Sequence, residues 1–215
     1  MIRQVPSNEL FTILLVICTL IVAIAKLVSN KRFSDFIYVF TNSKYLHIYA
    51  RCQKFFDKFD ALLFTNLIIS ASIFTILAYQ HFKGITYVPI NLLFKMMVGI
   101  GSLILIKVLV ERLIGSLFEI DQLIDAYLFQ KITYKNFLGI LLVPINAMLI
   151  YGFTPSNLLF YIFIGLLIIV VIKGLITSFK SQQSLIKNNF FYFILYLCAL
   201  EIAPCIILYK VFILN

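Results

Sequence analysis

An acid stands in the middle of the last apolar run of the chain. Glu201 lies eleven residues after Phe190 and eleven before Phe212. An ionisable group at that depth in a bilayer costs roughly 2.5–3.5 kcal/mol on insertion. It is therefore expected to face the inside of a helix bundle, protonated or paired. Cys198, Glu201 and Cys205 recur at helical spacing, which puts the carboxyl on a face of small residues. Pro204 follows three residues on, and a proline inside a helix frees the carbonyl four residues back, here that of Leu200. A second polar spot lies in the fourth apolar run, where Pro144 frees the carbonyl of Ile140 and Asn146 adds an amide. A carboxyl, an amide and two freed carbonyls can hold a proton or a small cation between two helices. They can equally tie the helices together by hydrogen bonds.

Other chemistries fare less well. Glu119, Asp121 and Asp125 form a small acidic group, and Asp121 and Asp125 share a helix face. Two carboxylates on one face can hold a magnesium ion against a phosphate, as prenyl-transferring membrane enzymes do. Those enzymes need two such sets and this chain has one partial set, so a solvated acidic face is the plainer reading. His47 and His81 both lie outside the apolar runs and do not form the paired-histidine zinc motif. Cys18, Cys52, Cys198 and Cys205 contain no C-x-x-C pair and read as small buried hydrophobes. Gly99 to Ser102 is a glycine-serine patch without a neighbouring base, which fits close helix packing. Neither a metal site nor a cofactor is called for, and a non-enzyme is expected.

The elements that must position these residues follow from composition. Of the 215 residues, 62% are hydrophobic and 13% charged. A soluble domain carries about 45–50% apolar and about 25% charged residues. A core of this length cannot bury that excess, so lipid must be the solvent. Six apolar runs stand out, at about 10–28, 61–80, 88–110, 137–153, 158–177 and 190–212. A helix needs about 20 residues to cross a bilayer, and these runs are continuous rather than alternating, so helices are expected and not barrel strands. Ala23-Ile24-Ala25 has the form of a cleavage site, but Lys26, Lys31 and Arg32 follow and resist translocation. The first run is therefore read as a retained span.

The net charge of +9 is read as topology, not as nucleic-acid binding. Eleven Lys and Arg lie in the connections on one side of the six spans and three on the other. That places both termini outside and the basic connections in the cytoplasm. Lys26, Lys107 and Lys173 lie near the cytoplasmic ends of spans and Lys95 near an outer end, where each can snorkel. Lys107 and Glu111 are four apart and can pair along one helix. Between about residues 30 and 60, aromatic and basic residues interleave at mostly helical spacing. This fits one or two amphipathic helices at the headgroups. Phe36, Tyr49, Arg51, Lys54, Phe55 and Lys58 would form a docking surface there, or the segment would simply cover the bundle. The third span is expected to continue as an amphipathic helix from Glu111 to about Gln130.

The last run, FYFILYLCALEIAPCIILYK from Phe191 to Lys210, resembles the C-terminal signature of a family of inner-membrane proteins of unknown function from Bacteroidota. The specific part is Leu200 to Pro204; the length and six-run layout are similar as well. That resemblance implies a class and a location, the bacterial cytoplasmic membrane, and carries no activity. A looser layout likeness is to Yip1-type membrane proteins. It rests on Arg112 to Gly115, the amphipathic stretch after it and Pro144 in the next run, and implies a bundle with cytoplasmic helices.

The expectation is thus an all-α, single membrane domain over 1–215, with six transmembrane helices and one or two interfacial cytoplasmic helices. The leading role is a non-enzymatic subunit or scaffold of an envelope or secretion assembly. The alternatives are a small proton- or ion-coupled transporter or channel centred on Glu201, and a lipid-handling transferase using the acidic group. Expected partners are membrane lipid and proteins of an envelope complex, with no nucleic acid.

Overall fold

The computed structural model describes residues 9–41, 44–49, 57–84, 89–117, 121–152 and 156–181. Those residues are all helical apart from the turns between helices, with no strand among them. The order is α1 (Glu9–Val28), α2 (Asn30–Ile37), α3 (Lys44–Tyr49), α4 (Lys58–Lys83), α5 (Ile90–Leu117), α6 (Asp121–Ala147) and α7 (Asn157–Ser181). A 3₁₀ turn, Tyr38–Phe40, follows α2, and a π-helical turn, Met148–Gly152, follows α6. Five helices, α1 and α4 to α7, are long and apolar enough to cross a membrane. They match the first five apolar runs. The sixth run, 190–212, lies outside the described residues.

Helix boundaries have local causes. Glu9 in the first turn of α1 and Lys26 in the last oppose the helix dipole from its two ends. Asp57 caps α4, its side chain accepting from the Phe59 amide at 3.3 Å. Gly84 closes α4 with φ +65°, and its amide bonds back to the Gln80 carbonyl, a left-handed cap that glycine adopts without strain. Asp121 stands in the first turn of α6.

One expectation needs correction here. The stretch from Glu111 to Gln130 is not one helix continuing the third span. α5 ends at Leu117, and a new helix begins at Asp121 and runs on through the fourth span. The chain reverses between them: a Cβ added to Gly115 would stand 2.9 Å from Cβ of Ile124, so the two helices meet almost backbone to backbone. The fourth span therefore starts well before residue 137, the apolar stretch running from Ile124 to Gly152.

α6 sits at the centre and packs on α1, α4, α5 and α7, most extensively on α4. At one end, Phe33, Phe36, Val39, Tyr45 and Leu46 from α2–α3 form a core with Ala25, Phe59, Leu63, Phe129 and Tyr134. This cap joins the end of α1 to the start of α4. Phe36 meets Tyr45 and Phe59 edge to face, and Phe40 stacks on Phe137. At the opposite end, Ile145, Leu149 and Phe160 pack with Phe74, Leu77 and Ala78. The His81 ring stacks on Phe160 there, and His81 Nε2 lies 2.7 Å from Asn157 Oδ1.

Candidate functional site

The three central helices come together on one level. A Cβ on Gly139 of α6 would stand 2.7 Å from the Leu67 Cα of α4, and one on Gly101 of α5 would stand 3.1 Å from the Ile68 side chain. Small residues at such crossings let helix backbones approach inside a membrane. Gly101 thus fits the close-packing reading of the Gly99–Ser102 patch, whereas Gly99 itself has nothing within 4 Å.

A polar seam surrounds this crossing. Asn66, Ser70, Thr133, Asn136, Gln130 and Asn146 are all buried. Ser70 Oγ lies 2.8 Å from the Asn66 carbonyl and 3.1 Å from the Gly139 carbonyl, so its hydroxyl links α4 to α6. Asn146 Nδ2 donates to the Ser70 carbonyl at 2.8 Å. A side-chain amide that reaches a carbonyl of another helix is a direct interhelical tie. Asn146 Oδ1 has no hydrogen-bond partner among the described residues, and neither has any side-chain N or O of Asn66 and Asn136. Pro144 is exposed on the same helix two residues before Asn146, and the π turn begins two residues after it.

An ion pair closes the cap end of the seam. Glu111 Oε1 and Lys131 Nζ are 2.6 Å apart, with side-chain exposures of 0% and 9%. Lys131 Nζ also lies 5.4 Å from the Tyr127 ring centroid. Glu111 Oε2 has no hydrogen-bond partner among the described residues. The sequence points from Glu111 only to Lys107, which is half-buried one turn earlier on α5. The partner across the bundle was hidden because the reversal between α5 and α6 was hidden. Lys173 of α7 holds its ammonium 3.7 Å from the centroid of Phe40, a cation–π contact that ties α7 to the cap.

The cap has its own charged network. Arg32 pairs with Asp57 through Nη1 and with Asp60 through Nη2, the latter at 2.8 Å. Its Nε donates to the Tyr45 hydroxyl at 3.1 Å, and its guanidinium lies 4.8 Å from the Phe59 ring centroid and 5.3 Å from that of Tyr49. Tyr49 donates to Asp35 at 3.2 Å. Burial opposes the charge on Arg32, but Tyr45, Asp60 and Asp57 more than offset it and hold the pKa above its ordinary value. Burial, only partly offset by Arg32, pushes the Tyr45 phenol up. Burial and then the bond to Asp35 push Tyr49 up as well. A sequence reading that counts Arg32 only toward orientation misses this clamp, whose partners lie 25 and 28 residues further on.

The sequence-predicted residues divide accordingly. Asn146 lies in the seam, with Pro144 on the outward face of the same helix. Glu111 is in the buried pair, and Lys173 lies over Phe40. Phe36 is wholly buried in the cap core, so its ring offers no surface to a partner; Tyr49 is half-buried and Lys58 exposed. Asp125 is exposed and faces Arg112 at 3.8 Å, while Asp121 is exposed at the start of α6. Cys18 is buried with Ile69 and Ile73. Glu201, Pro204, Arg51, Lys54, Phe55 and Glu119 lie outside the described residues.

A family described as a domain of unknown function (DUF4271) matches residues 11–212. The chain belongs to that family. No curated protein and no solved structure matches it. With five helices suited to crossing a bilayer, this DUF4271 chain is an integral membrane protein of unknown activity.

Proposed function

We propose that the protein is a non-enzymatic subunit of an envelope assembly in the bacterial cytoplasmic membrane, with the cap as its docking platform. In this reading the sixth run crosses as a further span, both termini are periplasmic and the cap is cytoplasmic. The observation that carries it is the Arg32 clamp. Two carboxylates, a phenol and two rings fix α2 and α3 against the bundle, while Lys31, Ile37, Tyr38, Ile48 and Lys58 stay exposed on the fixed module. A basic and apolar surface that is already ordered binds a partner without the entropy cost of ordering it. The test is purification in mild detergent with identification of co-purifying proteins. A stoichiometric partner lost on charge reversal at Lys54 and Lys58 is the expected result. A lone protein that supports pH-dependent solute flux in proteoliposomes overturns it. Cytoplasm-dependent fluorescent fusions should glow at 44 and 187 and stay dark at 215; a glowing fusion at 215 overturns the orientation.

A second reading, proton or cation coupling centred on Glu201, draws support from Asn146. Its amide lies two residues from both Pro144 and the π turn, and its Oδ1 is without a partner among the described residues. π turns inside helices are frequent at functional sites. Glu201→Gln keeps the shape and removes ionisation. Loss of growth complementation with an unchanged melting curve favours coupling, and full complementation removes it.

A further inference from the structure

Asn66 and Asn136 are each fully buried, and all four of their side-chain N and O atoms lack a hydrogen-bond partner among the described residues. Both lie close to the tightest contact between α4 and α6. Asn66 adjoins Leu67, and Asn136 precedes Gly139 by three residues, about 4.5 Å along the axis. Both helices are candidate membrane spans, so bulk water does not bathe these groups. Buried amides are nearly always hydrogen-bonded, and in hydrocarbon an unmet one is strongly unfavourable. Each amide offers two donors and one acceptor oxygen and carries no charge. That set does not favour an ion; it matches a molecule that both donates and accepts. The Ser70 hydroxyl oxygen on the next turn of α4 adds a further acceptor. Three such neighbours meet the two to four polar partners that an internal water requires.

We propose that Asn66 and Asn136 form an internal water site at the α4–α6 crossing. Water held there completes the amides and leaves the glycine contact undisturbed. The docking role does not depend on this site.

The test is hydroxyl-radical footprinting by synchrotron radiolysis with residue-level mass spectrometry, on the full chain in detergent. Radicals generated from bound water oxidise the side chains beside it. Leu63 and Leu67 flank the amides on α4, while Ile73 and Ile76 are buried further along the same helix. After correction for intrinsic reactivity, Leu63 and Leu67 should oxidise several-fold faster than Ile73 and Ile76. Asn66→Leu with Asn136→Leu should erase the difference. Equal rates in the unaltered protein overturn the proposal, because the amides are then satisfied dry. A difference that survives the double substitution overturns it too, because the radicals then come from bulk access. If the double variant does not fold, Asn66→Val and Asn136→Val singly should each reduce the difference, and no reduction in either overturns the site.

Discussion

The cap and the polar seam hold their polar groups in opposite ways. In the cap, Arg32 is met by Asp57, Asp60 and Tyr45, and Tyr49 is met by Asp35. In the seam, three asparagines keep spare hydrogen-bonding atoms while fully buried. The difference follows from cost. A half-buried charge without its partner is far more costly than a neutral amide with one group unmet, so charges are tied first. The Glu111–Lys131 pair obeys the same rule inside the bundle. The cap is therefore a lock, closed by its own residues. The seam has unused capacity, which a lock does not need and a site for something polar does.

The largest expected effect tests the rule for charges. Glu111→Leu takes the carboxylate from a nearly buried ammonium and should cost about 3–5 kcal/mol of stability in detergent melting. Adding Lys131→Met should recover most of that loss, since a well-packed apolar pair is often no less stable than a buried ion pair. If the double variant melts no higher than the single, the pair does more than offset its own desolvation.

Next is the crossing that shapes the seam. Gly139→Ala pushes a methyl against the Leu67 backbone, which cannot yield as a flexible side chain does. About 1–3 kcal/mol should be lost. Gly99→Ala, with nothing within 4 Å, should cost nothing measurable in the same assay. Equal melts for the two variants would show that the helices are not held by this contact.

A smaller effect separates tie from spare capacity. Asn146→Leu removes the bond to the Ser70 carbonyl. The melting loss should be about 0.6–1.7 kcal/mol, the range of membrane hydrogen bonds. A gain in stability would mean that burying the amide costs more than its bond returns.

The smallest effect belongs to the cap. The folded cap keeps the Tyr45 proton that an unfolded segment gives up near pH 10, so stability is complete below about that pH and falls as pH rises past it. An environment-sensitive probe on a cysteine placed at the exposed position 38 should report loosening between about pH 9 and 11. Tyr45→Phe should flatten that response at some cost to the Arg32 bond. An unchanged alkaline response would assign the titration to another group.

Five spans were legible because a continuous apolar run has one good solution in lipid. Asn146 and Pro144 were legible for the converse reason: an amide and a proline interrupt such a run. Asn136 and Gln130 were not, because they fall before residue 137, where the apolar run was taken to begin, although α6 already buries them. Lys131 was read as a loop charge for the same reason. Asn66 and Ser70 lie in plain view in the second run, but nothing local distinguishes a buried amide that ties helices from one with spare atoms. The Arg32 clamp depends on how α2, α3 and α4 fold back on one another, which periodicity does not encode.

The π turn at Met148–Gly152 can be counted as one surplus residue in a helix that would otherwise keep its rhythm. Deleting Met148 would restore the ordinary rise and swing everything beyond it by about 100°. Tyr151, whose hydroxyl meets that of Thr12 of α1, would point elsewhere, and α7 would leave on a new bearing, carrying Phe160 away from His81. The rim of the bundle opposite the cap therefore has a reading frame. The number of residues between Asn146 and Asn157, as much as their kinds, decides which helix α7 meets.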